Sequence, residues 1–227
     1  MDEQFEIDAS EYQWLSSDFY NHTRKSNDRQ LWIAGCSITH GVGVSEDQTY
    51  KNLLSKYYNL EYTDLSYPGS SIIWQSDQIC RSNLLPNDIV FWGLTGQYRL
   101  PVIHEYKDSK KIFHLHPGVY TDTPHLKKQF PLEVIRNSSL FYHNVLAVRR
   151  VYNFCKVADA NLVILGLTPD AEKIYLNYNV PVFRQIISGN FSNCYVDLGT
   201  DRSHPGPEQH KIFAQKFINF YDELYKD

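Results

Sequence analysis

Short apolar runs alternate with amphipathic stretches along this chain from residue 31 onward. The run at 31–34 ends at Gly35, and apolar and aromatic residues then recur at helical intervals over 50–57. The continuous apolar run "IVFWGLT" at 89–95 is typical of a strand buried on both faces. The pattern therefore predicts a strand, a glycine-containing loop and a helix, followed by further units of the same kind.

The later segments repeat this alternation. Ser45 and Gln48 have the spacing of a capping box before the first long helix. Further strands are predicted at "EYTDLSYPG", "NLVILGLT" and "CYVDLG". Further helices are predicted at "SSIIWQSDQICRS", around 141–155 and at the C-terminus. The C-terminal helix has an apolar stripe formed by Phe213, Phe217, Phe220 and Leu224. Strands alternating with helices predict the α/β class, with a parallel sheet covered by helices on both faces.

The chain reads as one domain with two irregular segments. Residues 1–29 are polar and weakly patterned, so we expect an N-terminal extension packed on a single domain at 30–227. An insert at about 97–135 carries four prolines and no sustained period, and we expect a hairpin or long loop there that serves substrate recognition or a packing or homo-oligomer contact. Its histidines 104, 114, 116 and 125 lack the spacing of a metal motif, so no metal is expected.

Composition excludes several classes of partner. The 227 residues carry a formal net charge of -4 and no basic stripe, which argues against nucleic acid. The longest apolar runs are much shorter than the ~20 residues of a membrane span, and the acidic N-terminus lacks the features of a secretory signal, so a cytoplasmic location is expected. The four cysteines are far apart and are expected to be free thiols.

The ends of the predicted strands carry the candidate chemistry. In parallel sheets, ligands bind beyond the carboxyl ends of the strands. There the sequence places Ser37, the turn at Gly69, Thr95, and an Asp201 three residues before His204. A hydroxyl, turn amides, a carboxylate and an imidazole are the groups that acyl transfer requires, because the carboxylate can fix the tautomer of the imidazole and leave its other nitrogen free as a base.

These segments resemble the four ordered blocks of the SGNH, or GDSL-type, hydrolases: "GCSITHG", "LSYPGSS", "WGLTGQYR" and "DRSHPGPEQH". The resemblance implies a three-layer α/β/α sandwich, flavodoxin-like in its sheet, and an esterase, lipase or carbohydrate O-acyl esterase activity without a cofactor or metal. It implies Ser37 as nucleophile, His204 as general base and Asp201 as its orienting partner. The amides of Ser37 and Gly69 would be oxyanion donors.

Two positions depart from the family pattern. Cys36 stands where the first block usually has Asp, so a carboxylate that would hold the loop is missing. Thr95 stands where the third block usually has the Asn whose amide is the third oxyanion donor; losing such a donor can cost roughly 2.7 to 4 kcal/mol of transition-state stabilisation. Either the hydroxyl of Thr95 donates in place of that amide, or Gln97 or Arg99 supplies the donor, or the enzyme is slow. Arg99 is also the candidate for pairing with an anionic group of the substrate.

Other residues compete for these roles. Cys36 is the rival nucleophile, but its side chain is expected to point opposite to that of Ser37, into the domain. His40 is the rival base, with no acid expected nearby, and His210 is expected on the exposed side of the last helix without a role. The GxSxG elbow is rejected because Thr39 occupies the position of its second glycine.

The sequence thus predicts a serine esterase acting on a short-chain acyl ester, and the high aromatic content, 15% with 17 Tyr, suggests a carbohydrate as the alcohol. Two alternatives stay open. One is an O-acyltransferase on the same site, and the other is a catalytically weak glycan-binding or structural protein.

Overall fold

A computed structural model describes residues 24, 28–106, 109–115, 138–167, 171, 182–183 and 195–225. Within these ranges, 101–106, 109–115, 138–139 and 182–183 are described by their backbone only. The extension before residue 24 and the insert after 115 lie outside the described residues. The domain boundaries therefore stay a prediction.

Five strands form one sheet in the order β2-β1-β3-β6-β7, and every pairing between neighbours in it is parallel. The strands are β1 (Leu31–Gly35), β2 (Tyr62–Ser66), β3 (Ile89–Leu94), β6 (Asn161–Gly166) and β7 (Val182–Phe183). A separate antiparallel hairpin, β4 (Leu100–Tyr106) and β5 (Ser109–Leu115), lies within the insert. The predicted α/β class and parallel sheet are confirmed.

The two faces of the sheet bury separate apolar clusters. Successive residues of a strand point to opposite faces, so Trp32 of β1 packs with helices α3 and α4, whereas Ile33 packs with α2 and α5. The helices are α1 (Ser37–His40), α2 (Tyr50–Tyr58), α3 (Ile72–Cys80), α4 (Ser138–Val157) and α5 (Pro207–Tyr225). Two helical layers around one sheet are the predicted three-layer α/β/α sandwich.

Because the central strands are covered on both faces, all of β1 and β3 is buried. Their carboxyl ends and that of β2 lie side by side at one edge of the sheet. None of the helices among the described residues is both long enough and apolar enough to cross a bilayer.

The predicted cap of α2 lies one turn too early. Ser45 does bind Gln48, its hydroxyl lying 2.8 Å from Oε1, but the segment Glu46–Gln48 is a short 3-10 helix. The residue that caps α2 is Thr49, whose side chain accepts a hydrogen bond from the amide of Asn52. A hydroxyl directly before the first helical residue is the usual N-cap arrangement.

The predicted strand at "CYVDLG" is wrong for the residues that the structure describes, 195–199. Leu198 makes only an isolated antiparallel bridge to Pro205. The physical reason is Asp197, whose carboxylate accepts hydrogen bonds from the amides of Glu208 and Gln209 at the start of α5. This segment therefore folds over a helix N-terminus, where a carboxylate is favoured, instead of extending the sheet.

The buried face of α5 also differs from the predicted stripe. Phe213 and Phe217 are buried as expected, but Leu224 is 40% exposed. His210, predicted on the exposed side, is fully buried. Its Nδ1 accepts a hydrogen bond from the amide of Tyr50 at 3.1 Å. This polar partner explains why His210 is buried although its hydropathy predicts an exposed position.

Candidate active site

Ser37 lies where strand β1 turns into a short helix. β1 ends at Gly35, and α1 begins at Ser37 with only Cys36 between them. The turn is tight: a Cβ on Gly35 would lie 1.8 Å from the hydroxyl oxygen of Thr39, so glycine is required there. α1 ends at Gly41, which has a left-handed φ of 93° and whose amide binds the carbonyl of Ser37.

The turn after β2 is fixed to the end of β1 by two hydrogen bonds and is closed by a third. The amide of Tyr67 and the hydroxyl of Ser70 both donate to the carbonyl of Gly35, at 3.1 and 2.9 Å. The amide of Ser70 donates to the carbonyl of Tyr67, which closes the turn around Gly69 with its left-handed φ of 80°. Gly69 is thereby held beside the strand that leads to Ser37.

The amides of Ser37 and Gly69, at these two turns, have no acceptor in the part of the chain that the structure describes. The first amides of a helix and an open turn are groups that ligand oxygens can satisfy. Such a pair of donors at neighbouring strand ends can hold the oxygen of a polarised carbonyl.

Thr95 follows directly after β3, on the other side of β1. It is fully buried, and its hydroxyl has no hydrogen-bond partner among the described residues. Burying an unpaired hydroxyl costs free energy. The unpaired hydroxyl of Thr95, at the edge of the candidate site, is therefore a further candidate donor to a ligand oxygen.

The two residues named as alternatives to Thr95 differ in their settings. Gln97 is 5% exposed, and its backbone carbonyl accepts a hydrogen bond from Asn144 at 2.7 Å. Arg99 is half-buried, and its guanidinium donates to the carbonyl of Ser70 at 3.3 Å. Arg99 thus lies against the turn that holds Gly69.

Asp201 and His204 are in direct contact. Asp201 Oδ2 lies 2.5 Å from His204 Nδ1, and Oδ1 accepts hydrogen bonds from the amides of Ser203 and His204, both at 3.1 Å. Burial raises the pKa of Asp201, but the hydrogen bonds from His204 and Ser203 outweigh this and hold it well below its usual range. An ionised Asp201 keeps the proton of the imidazole on Nδ1 and leaves Nε2 as the basic nitrogen.

The loop that carries this pair is fixed to the loop that follows Ser37. The amide of Thr200 donates to the carbonyl of Gly43 at 2.8 Å. The backbones approach so closely that a Cβ on Gly43 would lie 2.8 Å from Asp201 Oδ1, and one on Gly199 would lie 2.6 Å from the Gly43 carbonyl oxygen. Two glycines therefore allow the loop that carries Asp201 to contact the loop that follows Ser37, although Asp201 and Ser37 are 164 positions apart in the chain.

The structure separates the rival candidates from this arrangement. Cys36 is fully buried in an apolar cluster, as expected from its position before Ser37. His40 is half-exposed, but the prediction that no acid lies near it is wrong, because Asp64 Oδ2 is 4.0 Å from its Nδ1. That carboxylate is already paired with Lys51 at 2.5 Å, so it offers the imidazole of His40 a weaker contact than Asp201 offers His204.

Metal-binding groups are not clustered in the part of the chain that the structure describes: no set of three His, Cys, Asp or Glu side chains converges there. The side chains of the four histidines of the insert lie outside it. The described cysteines, Cys36, Cys80 and Cys155, are free thiols.

Sequence comparison finds no relative: no protein-family model and no curated protein matches the chain. Structure comparison finds solved structures with a similar fold. An acetyl xylan esterase, Est2A, from the rumen bacterium Butyrivibrio proteoclasticus superimposes with a TM-score of 0.50 at 14% identity over 88% of this chain and 65% of that one. TesA superimposes with a TM-score of 0.50 at 12% identity over 86% of this chain and 99% of that one. The chain has the SGNH hydrolase fold.

A third structure with this fold, a carbohydrate esterase whose active site is described as having divergent catalytic and non-catalytic binding functions, has a TM-score of 0.50 at 12% identity over 90% of this chain and 68% of that one. The chain spans about two thirds of the length of the two carbohydrate esterases and nearly all of TesA. At such identities the likeness establishes the SGNH hydrolase fold, which was the predicted resemblance.

Sequence reasoning missed some of the residues that hold this candidate site together. Ser70 is fully buried and fixes the turn of Gly69, and Thr39 fills the space above Gly35. The signal for both is present in the sequence, since each is a small hydroxyl residue close to a glycine at a strand end. Tyr50 and His210 carry no such signal, because their contact joins positions 160 residues apart.

Proposed function

We propose that this protein is a serine esterase with Ser37 as nucleophile, His204 as general base and Asp201 as the residue that orients the base. The observation that carries the proposal is the contact of 2.5 Å between Asp201 and His204, on a loop bonded to the segment that follows Ser37. A serine nucleophile needs a base to accept its proton, and this pair offers an imidazole with a fixed tautomer. The esterases with the same fold support the class of reaction.

In the first half-reaction, Ser37 Oγ attacks the ester carbonyl carbon while His204 Nε2 accepts its proton. The tetrahedral intermediate collapses, the bond to the alcohol oxygen breaks, and His204 returns the proton to that oxygen. In the second half-reaction, water attacks the acyl-enzyme, His204 accepts a proton from the water, and the acid leaves as Ser37 Oγ recovers that proton.

The negative charge on the carbonyl oxygen has three proposed donors. The amides of Ser37 and Gly69 have no acceptor among the described residues, and the hydroxyl of Thr95 has no partner there either. Removing one such donor typically lowers kcat about 10²- to 10³-fold. Thr95 therefore substitutes, in this proposal, for the Asn that its position usually carries in the family.

We propose a short acyl ester of a carbohydrate as the substrate class. Tyr67 is 52% exposed on the turn that holds Gly69, and its ring centroid lies 5.6 Å from that of Trp74. Exposed aromatic rings beside a site offer apolar faces on which a sugar ring can stack. Arg99, bonded to the same turn, is the proposed contact for a polar or anionic substituent of that sugar.

The first experiment asks whether Ser37 is the nucleophile. Wild type should hydrolyse p-nitrophenyl acetate and be labelled by a fluorophosphonate probe, whereas Ser37→Ala should lose both. Cys36→Ala is the matched control, since it removes the neighbouring thiol and should keep both. Equal labelling of wild type and Ser37→Ala would refute the assignment.

The second experiment compares the two histidines that have an aspartate nearby. His204→Asn should slow the labelling of Ser37 by about 10³-fold or more, because the base is lost. His40→Asn should leave the labelling rate close to that of wild type. The opposite result would transfer the base to His40.

The substrate class is tested with a panel of acetylated sugars beside p-nitrophenyl acetate. Tyr67→Ala should raise KM for the sugar esters several-fold and leave the values for p-nitrophenyl acetate nearly unchanged. A proportional loss on both substrates would argue against stacking on Tyr67. Chromatography of the products in the presence of a second sugar distinguishes hydrolysis from acyl transfer.

A further inference from the structure

A buried chain of polar contacts runs from the last helix to the helix that begins with Ser37. The Nδ1 of His210, on α5, accepts a hydrogen bond from the amide of Tyr50 at the start of α2, at 3.1 Å. The hydroxyl of Tyr50 donates to Thr39 Oγ1, on α1, at 2.7 Å. All three side chains are 0% exposed.

The hydroxyl groups of Thr39 and Tyr50 fill a space left by two glycines on neighbouring strands. A Cβ on Gly35 of β1 would lie 1.8 Å from Thr39 Oγ1. A Cβ on Gly93 of β3 would lie 2.8 Å from the same atom and 2.7 Å from the hydroxyl oxygen of Tyr50. Glycine at these two positions therefore leaves room for the two hydroxyls, at the ends of the strands that lead to the proposed site.

The helix that begins with Ser37 cannot fix its own orientation. α1 has four residues, about one turn, and a helix this short has too few internal hydrogen bonds to be stable by itself. Thr39 lies two residues after Ser37 on that turn, so the direction of the Ser37 side chain depends on what holds Thr39. The same chain of contacts ends on α5, which begins three residues after His204.

We propose that Thr39, Tyr50 and His210 are positioning residues for the nucleophile, which hold Ser37 at the distance and angle from His204 that proton transfer requires. The inference rests on the proposed serine esterase function. It assigns to this buried network a role in the rate of attack beyond its contribution to folding. A displacement of about 1 Å in such a pair can lower a rate about 10²-fold, so the loss of one hydrogen bond in the network should be visible in kcat.

Tyr50→Phe tests the proposal with a single missing atom. The ring keeps its packing against Phe213 and Phe217, while the bond to Thr39 is lost. We expect kcat for p-nitrophenyl acetate and the rate of fluorophosphonate labelling to fall at least about tenfold, with KM within about twofold of wild type. Tyr58→Phe is the matched control, because Tyr58 lies on the same helix and its buried hydroxyl has no partner among the described residues; its rates should equal those of wild type.

A second pair of variants separates positioning from folding. Thr39→Ala removes the hydroxyl that Tyr50 binds, whereas Thr39→Ser keeps it. We expect Thr39→Ser to retain most of the labelling rate that Thr39→Ala loses, with both variants assayed well below their unfolding temperatures.

The outcomes distinguish the inference from the function on which it rests. If wild type is labelled and Tyr50→Phe is less stable but labelled at the wild-type rate, the network is only structural and the inference is refuted while the esterase stands. If wild type itself is not labelled at Ser37, the proposed function fails and this inference fails with it.

Discussion

His210 should make the stability of the protein depend on pH between about 7 and 4. Its imidazole is fully buried, and burial lowers its pKa to about 4 from the ordinary 6.5; Asp197 opposes this shift and Lys51 adds to it. Below pH 6.5 the unfolded chain binds a proton at this residue, whereas the native protein does not until pH 4. The stability that depends on neutral His210 is therefore complete above pH 6.5 and is lost as the pH falls.

The magnitude follows from the difference between the two pKa values. Each unit corresponds to about 1.4 kcal/mol, so a native pKa of about 4 against 6.5 in the unfolded chain amounts to roughly 3 kcal/mol at pH 4. This is a large part of the 5 to 15 kcal/mol that typically separates native from unfolded protein, roughly a fifth to three fifths of it. The neutral form is also the one that the fold uses, because Nδ1 accepts the amide hydrogen of Tyr50.

The assay is urea unfolding of wild type and His210→Asn at several pH values from 7.5 to 4. Asn can still accept a hydrogen bond from Tyr50 but does not titrate. As the pH falls from 7.5 to 4, wild type should lose roughly 3 kcal/mol more unfolding free energy than His210→Asn. Carboxylates contribute equally to both proteins and cancel in this difference. His40→Asn, which keeps His210, is the control for the same substitution at another histidine. A difference that stays constant with pH would refute the reasoning.

Three further predictions concern the site and its support. Thr95→Val removes a buried hydroxyl with no described partner, so it should raise the unfolding free energy measured in urea by about 1 kcal/mol. The same variant should lower kcat about 10²- to 10³-fold, and unchanged activity would remove Thr95 from the proposed oxyanion site. Asp201→Asn should lower kcat by up to about 10⁴-fold with little change in KM, because the Asn side chain no longer holds the His204 tautomer. Steady-state kinetics measures both constants, and a loss in kcat below tenfold would contradict the prediction. Asp88→Ala should lower the unfolding free energy by about 3 to 5 kcal/mol, because Arg24 and the indole of Trp32 would lose the buried carboxylate that binds them. Urea unfolding measures this loss, and a value below about 1 kcal/mol would contradict the prediction.

The central sheet was predictable because its signal is local. Strands covered on both faces must be apolar at every position, so "IVFWGLT" is recognisable without knowledge of its neighbours, and all of β3 is indeed buried. The candidate residues follow from the same fact. Once the strands are located, the parallel topology determines that Ser37, Gly69 and Thr95 lie at one edge.

The errors occur where a polar contact between distant segments overrides the apolar pattern. "CYVDLG" alternates like a strand, yet Asp197 binds the first amides of α5 and folds the segment over that helix. His210 counts as polar in any periodicity analysis, and only its bond to Tyr50, 160 residues away in sequence, explains its burial. No window of the sequence contains both partners of such a contact.

Cys36 illustrates how the fold compensates for a missing polar group. The sequence lacks the carboxylate that usually precedes the nucleophile in this family, and Cys36 makes no side-chain cap for α1. Its burial among apolar residues removes it from hydrogen bonding with the loop. The end of β1 is held instead from two sides, by Ser70 and Tyr67 on the carbonyl of Gly35 and by Thr39 over its Cα. Because these contacts act on the backbone directly before Ser37, they can fix the proposed nucleophile without a carboxylate, and a thiol at position 36 is then compatible with an ordered site.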